Sequence, residues 1–166
     1  GARLWNACVE TGISPNEYAS CFDSVSVCLS KGLGAPAGTI LLGKKSFIET
    51  ARRARKILGG GMRQAGILAA AGLYALENNV QRLAEDHANA ARLAKGLQEL
   101  GIASRLNTNM VLAEVDSGRV SQLQEFLKNK GVLVLARAPM RLVTHLDVDA
   151  AGIDRALGAF QAFFRQ

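Results

Sequence analysis

The 166-residue sequence is 49% hydrophobic and 20% charged, close to ordinary globular usage, which excludes a disordered chain and a disulfide scaffold. Its length allows one ordinary domain, or a small domain attached to part of a larger one. The net charge of +6 and pI of about 9.6 suit an anionic partner, yet most basic residues are scattered singly. The one dense run, Arg52, Arg53, Arg55 and Lys56, has no interleaved aromatics, so a phosphate-sized target is expected and nucleic acid is not. Cys8, Cys21 and Cys28 show no CxxC spacing and have no histidine close in sequence, so they read as buried thiols in a reducing compartment and no metal site is expected. No secretory pattern opens the sequence and no apolar stretch is long enough to span a bilayer, so no membrane partner and a cytoplasmic location are the expectation.

In chain order, residues 2–19 give a short helical pattern that breaks at Gly12 and restarts after Ser14-Pro15, a cap followed by a first turn. Ser24 to Leu29 alternate small polar with apolar residues and predict a strand; Thr39 to Leu42 predict a second, stopped by Gly43. A basic amphipathic helix is expected at 44–57, a break at Gly59-Gly60-Gly61, and an alanine-rich, buried helix at 62–76. A long helix follows at 78–100 with Gly101 at its C-cap position, and the domain boundary is placed near its start. Beyond it the pattern predicts strand 109–115, helix 119–130, strands 132–136 and 141–145, and helix 149–165, an α+β unit whose antiparallel sheet is covered on one face by helices.

Lys31 stands between the two N-terminal strands, in Ser30-Lys31-Gly32-Leu33-Gly34. Glycines beside it put no side chains in the way of a flat ligand, and partial desolvation would make its amine a nucleophile towards an aldehyde. Position alone favours an ordinary loop lysine. The dinucleotide-binding reading fails because no third glycine follows at the required spacing and a strand comes next; the P-loop reading of Gly38 to Lys44 fails because Lys45 stands where Ser or Thr would hold magnesium. In strand 141–145, Arg141, Val143 and His145 share one face and Leu142 and Thr144 the other; Arg141 is either an anion ligand or a charge at a sheet rim. Gly59-Gly60-Gly61-Met62-Arg63 would free backbone N–H groups at the start of helix 62–76 for an anion such as a phosphate; otherwise helix 44–57 is a solvated basic face. His87 and His145 read as packing or supporting residues rather than bases, and Met62 and Trp5 as packing residues.

Gly1-Ala2-Arg3-Leu4-Trp5-Asn6-Ala7, Ser24 to Gly38, Gly59-Gly60-Gly61-Met62-Arg63-Gln64 and Arg141-Leu142-Val143-Thr144-His145, in order and correctly spaced, resemble the low-specificity L-threonine aldolases. The resemblance implies an α/β fold: residues 1–77 as the C-terminal part of the large domain of an aminotransferase-like, type I pyridoxal-phosphate enzyme, and 78–166 as its small α+β domain. It implies cleavage of L-threonine, L-allo-threonine and related β-hydroxy-α-amino acids to glycine and an aldehyde, with pyridoxal 5'-phosphate held as a Schiff base on Lys31. Arg3 and Arg141 match carboxylate-binding arginines, Arg3 next to the cofactor, and Lys56 and Arg63 are candidates for its phosphate or for a neighbouring subunit's site. The expected partners are the amino-acid substrate, other copies in a dimer or tetramer, and the missing N-terminal half of the same enzyme. An aspartate for the ring nitrogen, a Gly-Thr phosphate turn and a ring-stacking histidine are expected upstream, so the piece alone should bind cofactor poorly and catalyse little. The alternatives are another type I pyridoxal-phosphate lyase or glycine-dependent transferase, and a non-catalytic basic α+β binding module.

Overall fold

A computed structural model describes residues 1–165 and divides them into two units, Gly1–Leu83 and Ala84 onward. In the first, α1 (Leu4–Thr11) ends where Gly12 takes a left-handed φ of 71° and returns its N–H to the Cys8 carbonyl. Helix α2 (Pro15–Ser20) starts as its sequence dictates, with proline in the first turn and the Ser14 hydroxyl accepting from the Glu17 N–H. Strands β1 (Ser24–Cys28) and β2 (Thr39–Gly43) pair antiparallel, with Cys28 opposite Thr39. Helices α3 (Lys45–Ile57) and α4 (Gly66–Asn78) follow. The core of this unit is small: Leu29, Leu33, Ala35, Ala75 and Leu83, with Trp5, Val9 and Ile40 packed around it.

In the second unit, α5 (Leu83–Glu99, its first residue closing unit one) leads into β3 (Ser104–Asn107) and β4 (Met110–Ala113). Helix α6 (Val120–Asn129), β5 (Met140–Val143) and α7 (Ala150–Phe164) complete it. The sheet is antiparallel in the order β3-β4-β5. Pairing Val111 with Leu142 and Ala113 with Met140 puts four buried side chains on one face, against Leu97, Leu123, Leu127 and Phe160 from the helices. Helix α7 is capped by Asp149, whose carboxylate accepts from the Gly152 N–H at 2.7 Å. Because Leu123 is fully buried here, Leu123→Ala should remove about 2–5 kcal/mol from the unfolding free energy, read as a lower urea midpoint.

Several expectations need correction. Residues 132–136 form no strand: the Val132 N–H closes onto the Leu127 carbonyl and the Ala136 N–H onto Gln124 Oε1, so neither bonds to the sheet. The third strand is instead β3, which carries no β-branched residue and pairs because β4 lies beside it. The helices expected from 62 and 78 begin at Gly66 and Leu83. The former is not buried within these residues: only Gly72 and Ala75 of α4 are, while Ile67 and Tyr74 are exposed. Met62 is exposed too, against the packing role expected of it, whereas Trp5 does pack. Of the three thiols only Cys8 is buried. No helix among the described residues is long and apolar enough to cross a membrane.

Candidate functional site

The ten residues between β1 and β2 form a loop whose backbone is closed on itself. The Leu29 N–H donates to the Gly38 carbonyl, the Ala35 N–H to the Leu29 carbonyl and the Gly34 N–H to the Lys31 carbonyl, the last at 2.9 Å. Gly34 sits at φ 72°, where a side chain would be strained. Leu29, Leu33 and Ala35 are buried as anchors, and Asn79 Nδ2 donates to the Leu33 carbonyl at 2.7 Å. Lys31 itself is exposed, so its backbone is held while its amine faces outward. Desolvation of that amine must therefore come from whatever covers this face. A methyl group on Gly32 would lie 2.8 Å from Leu83 Cδ2 and 3.3 Å from Asn6 Oδ1, so no larger residue fits beside the lysine without displacing a buried neighbour.

Arg3 reaches the same corner by a different route. Residues at the chain start run beside β1: the Gly1 carbonyl accepts from the Cys28 N–H and the Gly1 amine donates to the Ser26 carbonyl. Arg3 is then the N-cap of α1 and half-buried, with the Ala7 N–H on its carbonyl. One turn on, the buried Asn6 lies against Gly32. The structure thus joins the element bearing Arg3 to the loop bearing Lys31. The sequence pattern passed over Asn6; its signal was a polar residue three positions after Arg3 on a helix whose only other buried residue is Cys8.

Cys28, at the end of β1, approaches the same loop. Its Sγ lies 3.5 Å from Ser30 Oγ, and this contact, helped by the nearby positive charge of Lys31, lowers the thiol pKa, whereas burial raises that of Cys8. A lowered pKa means more thiolate at neutral pH. Iodoacetamide should accordingly alkylate Cys28 faster than Cys8 at pH 7.5, which peptide mass spectrometry would read site by site.

The glycine run after α3 does not do what its sequence suggests. The Gly59 N–H donates to the Lys56 carbonyl and the Gly60 N–H to the Arg55 carbonyl, with Gly59 at φ 84°. These glycines cap the C-terminus of α3, and α4 begins only at Gly66, so two of the three N–H groups are not offered to an anion at a helix start. What the turn does provide is a seat for Lys56: a methyl group on Gly61 would lie 2.7 Å from Lys56 Cδ and 3.2 Å from its Nζ. Lys56 and Arg63 are both exposed.

In the second unit Arg141 stands opposite Leu112 and points away from the core, with buried Met140 and Leu142 on either side. It lines a cleft of about 570 Å³ together with Val132 to Leu135, Asp147 and Arg155. His145 supports the local backbone: its Nδ1 accepts from the Asp147 N–H at 3.3 Å. No cluster of His, Cys, Asp or Glu suited to a metal ion occurs among the described residues.

The β-eliminating lyase family model matches residues 1–117. The low specificity L-threonine aldolase of Escherichia coli K12 is 48% identical over 164 residues, which cover 98% of this chain and 49% of that protein. Low-specificity L-threonine aldolase 1 of Arabidopsis thaliana is 40% identical over 170 residues, 97% of this chain and 48% of that protein. Among solved structures, the threonine aldolase of Leishmania major superposes with a TM-score of 0.77 at 18% identity, covering 99% of this chain and 50% of that one, a likeness of fold. The chain therefore spans about half the length of the relatives it matches, and its fold is the corresponding part of the type I pyridoxal-phosphate fold. With the family model matched over well more than half of its residues, the chain belongs to the β-eliminating lyases, in the branch of the low-specificity L-threonine aldolases.

Proposed function

We propose that the full-length protein is a pyridoxal-phosphate-dependent aldolase that cleaves L-threonine, L-allo-threonine and related β-hydroxy-α-amino acids to glycine and an aldehyde. The observation that carries this reading is the Lys31 loop: an exposed amine on a backbone pinned by buried Leu29, Leu33 and Ala35, beside a glycine that admits no side chain. That donor set fits an aldehyde-bearing cofactor, with Lys31 Nζ holding it covalently and Lys56 and Arg63 as the cations for its phosphate or for that of a neighbouring subunit. When bound, the cofactor supplies an electron sink for the charge left on Cα as the Cα–Cβ bond breaks.

The chain's own residues bind and orient. Arg3 and Arg141 each offer a planar fork of donors to the substrate carboxylate, and a carboxylate gripped at two points fixes which Cα substituent faces across the ring plane. Arg3, already half-buried as the cap of α1, would lose little further rotamer freedom on binding. The group that takes the β-hydroxyl proton, the partner of the ring nitrogen and the ring-stacking side chain are assigned to the part of the relatives that this chain does not span. Assembly as a dimer or tetramer belongs to the same reading, supported by the exposed Ile57, Leu58 and Met62 around the basic turn.

The test is to load the full-length protein with pyridoxal phosphate, reduce it with borohydride and map the labelled peptide, while assaying glycine and acetaldehyde from threonine. Label on Lys31 with both products supports the reading. A folded protein with no labelled lysine overturns it, and label on Lys31 without aldehyde release redirects it to another lyase or a glycine-dependent transferase of the same fold.

A further inference from the structure

We propose that Asn6 is a positioning residue for Lys31, an inference that rests on the aldolase reading above. Asn6 is only 2% exposed, although a buried amide carries a desolvation cost that alanine or leucine in its place would avoid. Its location gives it a task. Oδ1 and Nδ2 lie 3.3 and 3.7 Å from where a Cβ on Gly32 would stand, so the amide occupies the space beside the residue that follows Lys31. Leu83 Cδ2 lies 2.8 Å from the same point, and Leu83 is fully buried, so Asn6 and Leu83 together fill the space next to the Gly32 Cα. The residue after Lys31 is thus packed against Asn6 and Leu83, and the carbonyl of Leu33, one residue further on, accepts from Asn79 Nδ2.

Only one of these supports, Asn6, comes from the helix that Arg3 caps. Asn6 lies one turn after Arg3, the N-cap of α1, so its contact with Gly32 ties the Lys31 loop to the helix capped by the arginine assigned to the substrate carboxylate. A flat amide suits a gap bounded by a glycine Cα; alanine would leave space there, and the branched end of leucine would push the loop outward. An error of about 1 Å between amine and carboxylate site costs on the order of 10²-fold in rate.

The experiment uses the full-length protein and the variants Asn6→Ala and Asn6→Leu, the second close in volume and suited to keep the protein folded should the alanine cavity unfold it. Three quantities are read: the rate at which cofactor-free protein becomes borohydride-labelled at Lys31 with pyridoxal phosphate, kcat per labelled site with KM, and the thermal midpoint. The expected result is labelling slowed about 10-fold and kcat per labelled site lowered about 10- to 100-fold, with KM changed less than about threefold. Label on Lys31 with unchanged labelling rate and kcat in a folded variant, whatever the thermal midpoint does, makes Asn6 merely structural and overturns the inference alone. Absence of label on Lys31 in the unsubstituted protein overturns the aldolase reading itself, and this inference with it.

Discussion

Lys31→Ala in the full-length protein should abolish borohydride labelling by pyridoxal phosphate and lower kcat for threonine cleavage by about 10³-fold or more, the scale of losing the group that holds the cofactor covalently. Stability should stay within about 0.5 kcal/mol, because Lys31 is exposed and its loop is held by backbone bonds and buried neighbours that the substitution leaves in place. The combination is diagnostic. A large loss of activity with an unchanged thermal midpoint points to chemistry at the amine, whereas label that persists on a different lysine would remove Lys31 from the proposal. Lys31→Arg keeps the charge but not the nucleophile, so it should behave like alanine and not like the parent.

The second large effect is expected at Arg141. As an exposed residue of β5 between two buried ones, its side chain can be changed without opening the core. If it grips the substrate carboxylate, Arg141→Ala removes charge-assisted hydrogen bonds worth about 1.5–3 kcal/mol each, which lowers kcat/KM about 10²-fold or more, chiefly through KM. Arg141→Lys retains the charge and loses the two-point grip, so an intermediate loss of about tenfold is expected. Steady-state kinetics with threonine and with a substrate lacking the carboxylate, such as an amino alcohol, make the test specific: the penalty should shrink for the latter. Equal penalties on both substrates would place Arg141 at the sheet rim with no part in binding.

Much of the site was legible because its signals are local. The alternation of Ser24 to Leu29 and the stop at Gly43 placed Lys31 in the connection of a hairpin, and β1 and β2 pair across it. Strand parity put Arg141 and Leu142 on opposite faces, since successive side chains alternate whatever the partner strand is, and the structure exposes the first and buries the second. Helix caps were equally local: Pro15 after Ser14 and Gly12 after α1 act through groups within a few residues.

What the sequence left open depends on partners distant along the chain. Val132 to Ala136 have the composition of a strand, yet their terminal N–H groups are taken by Leu127 and Gln124, while the polar Ser104–Asn107 pairs because β4 is adjacent. The glycines at 59 to 61 were readable as a break but not as the cap of the preceding helix, a choice made by which carbonyls lie within reach. Above all, the contact between Asn6 and Gly32, 26 residues apart in the numbering, joins α1 to the lysine loop only once both have folded. Composition and periodicity determine which segments are regular and which face each side chain takes; the tertiary structure alone decides which of those faces meet, because that choice is set by packing between elements and not by the backbone within one.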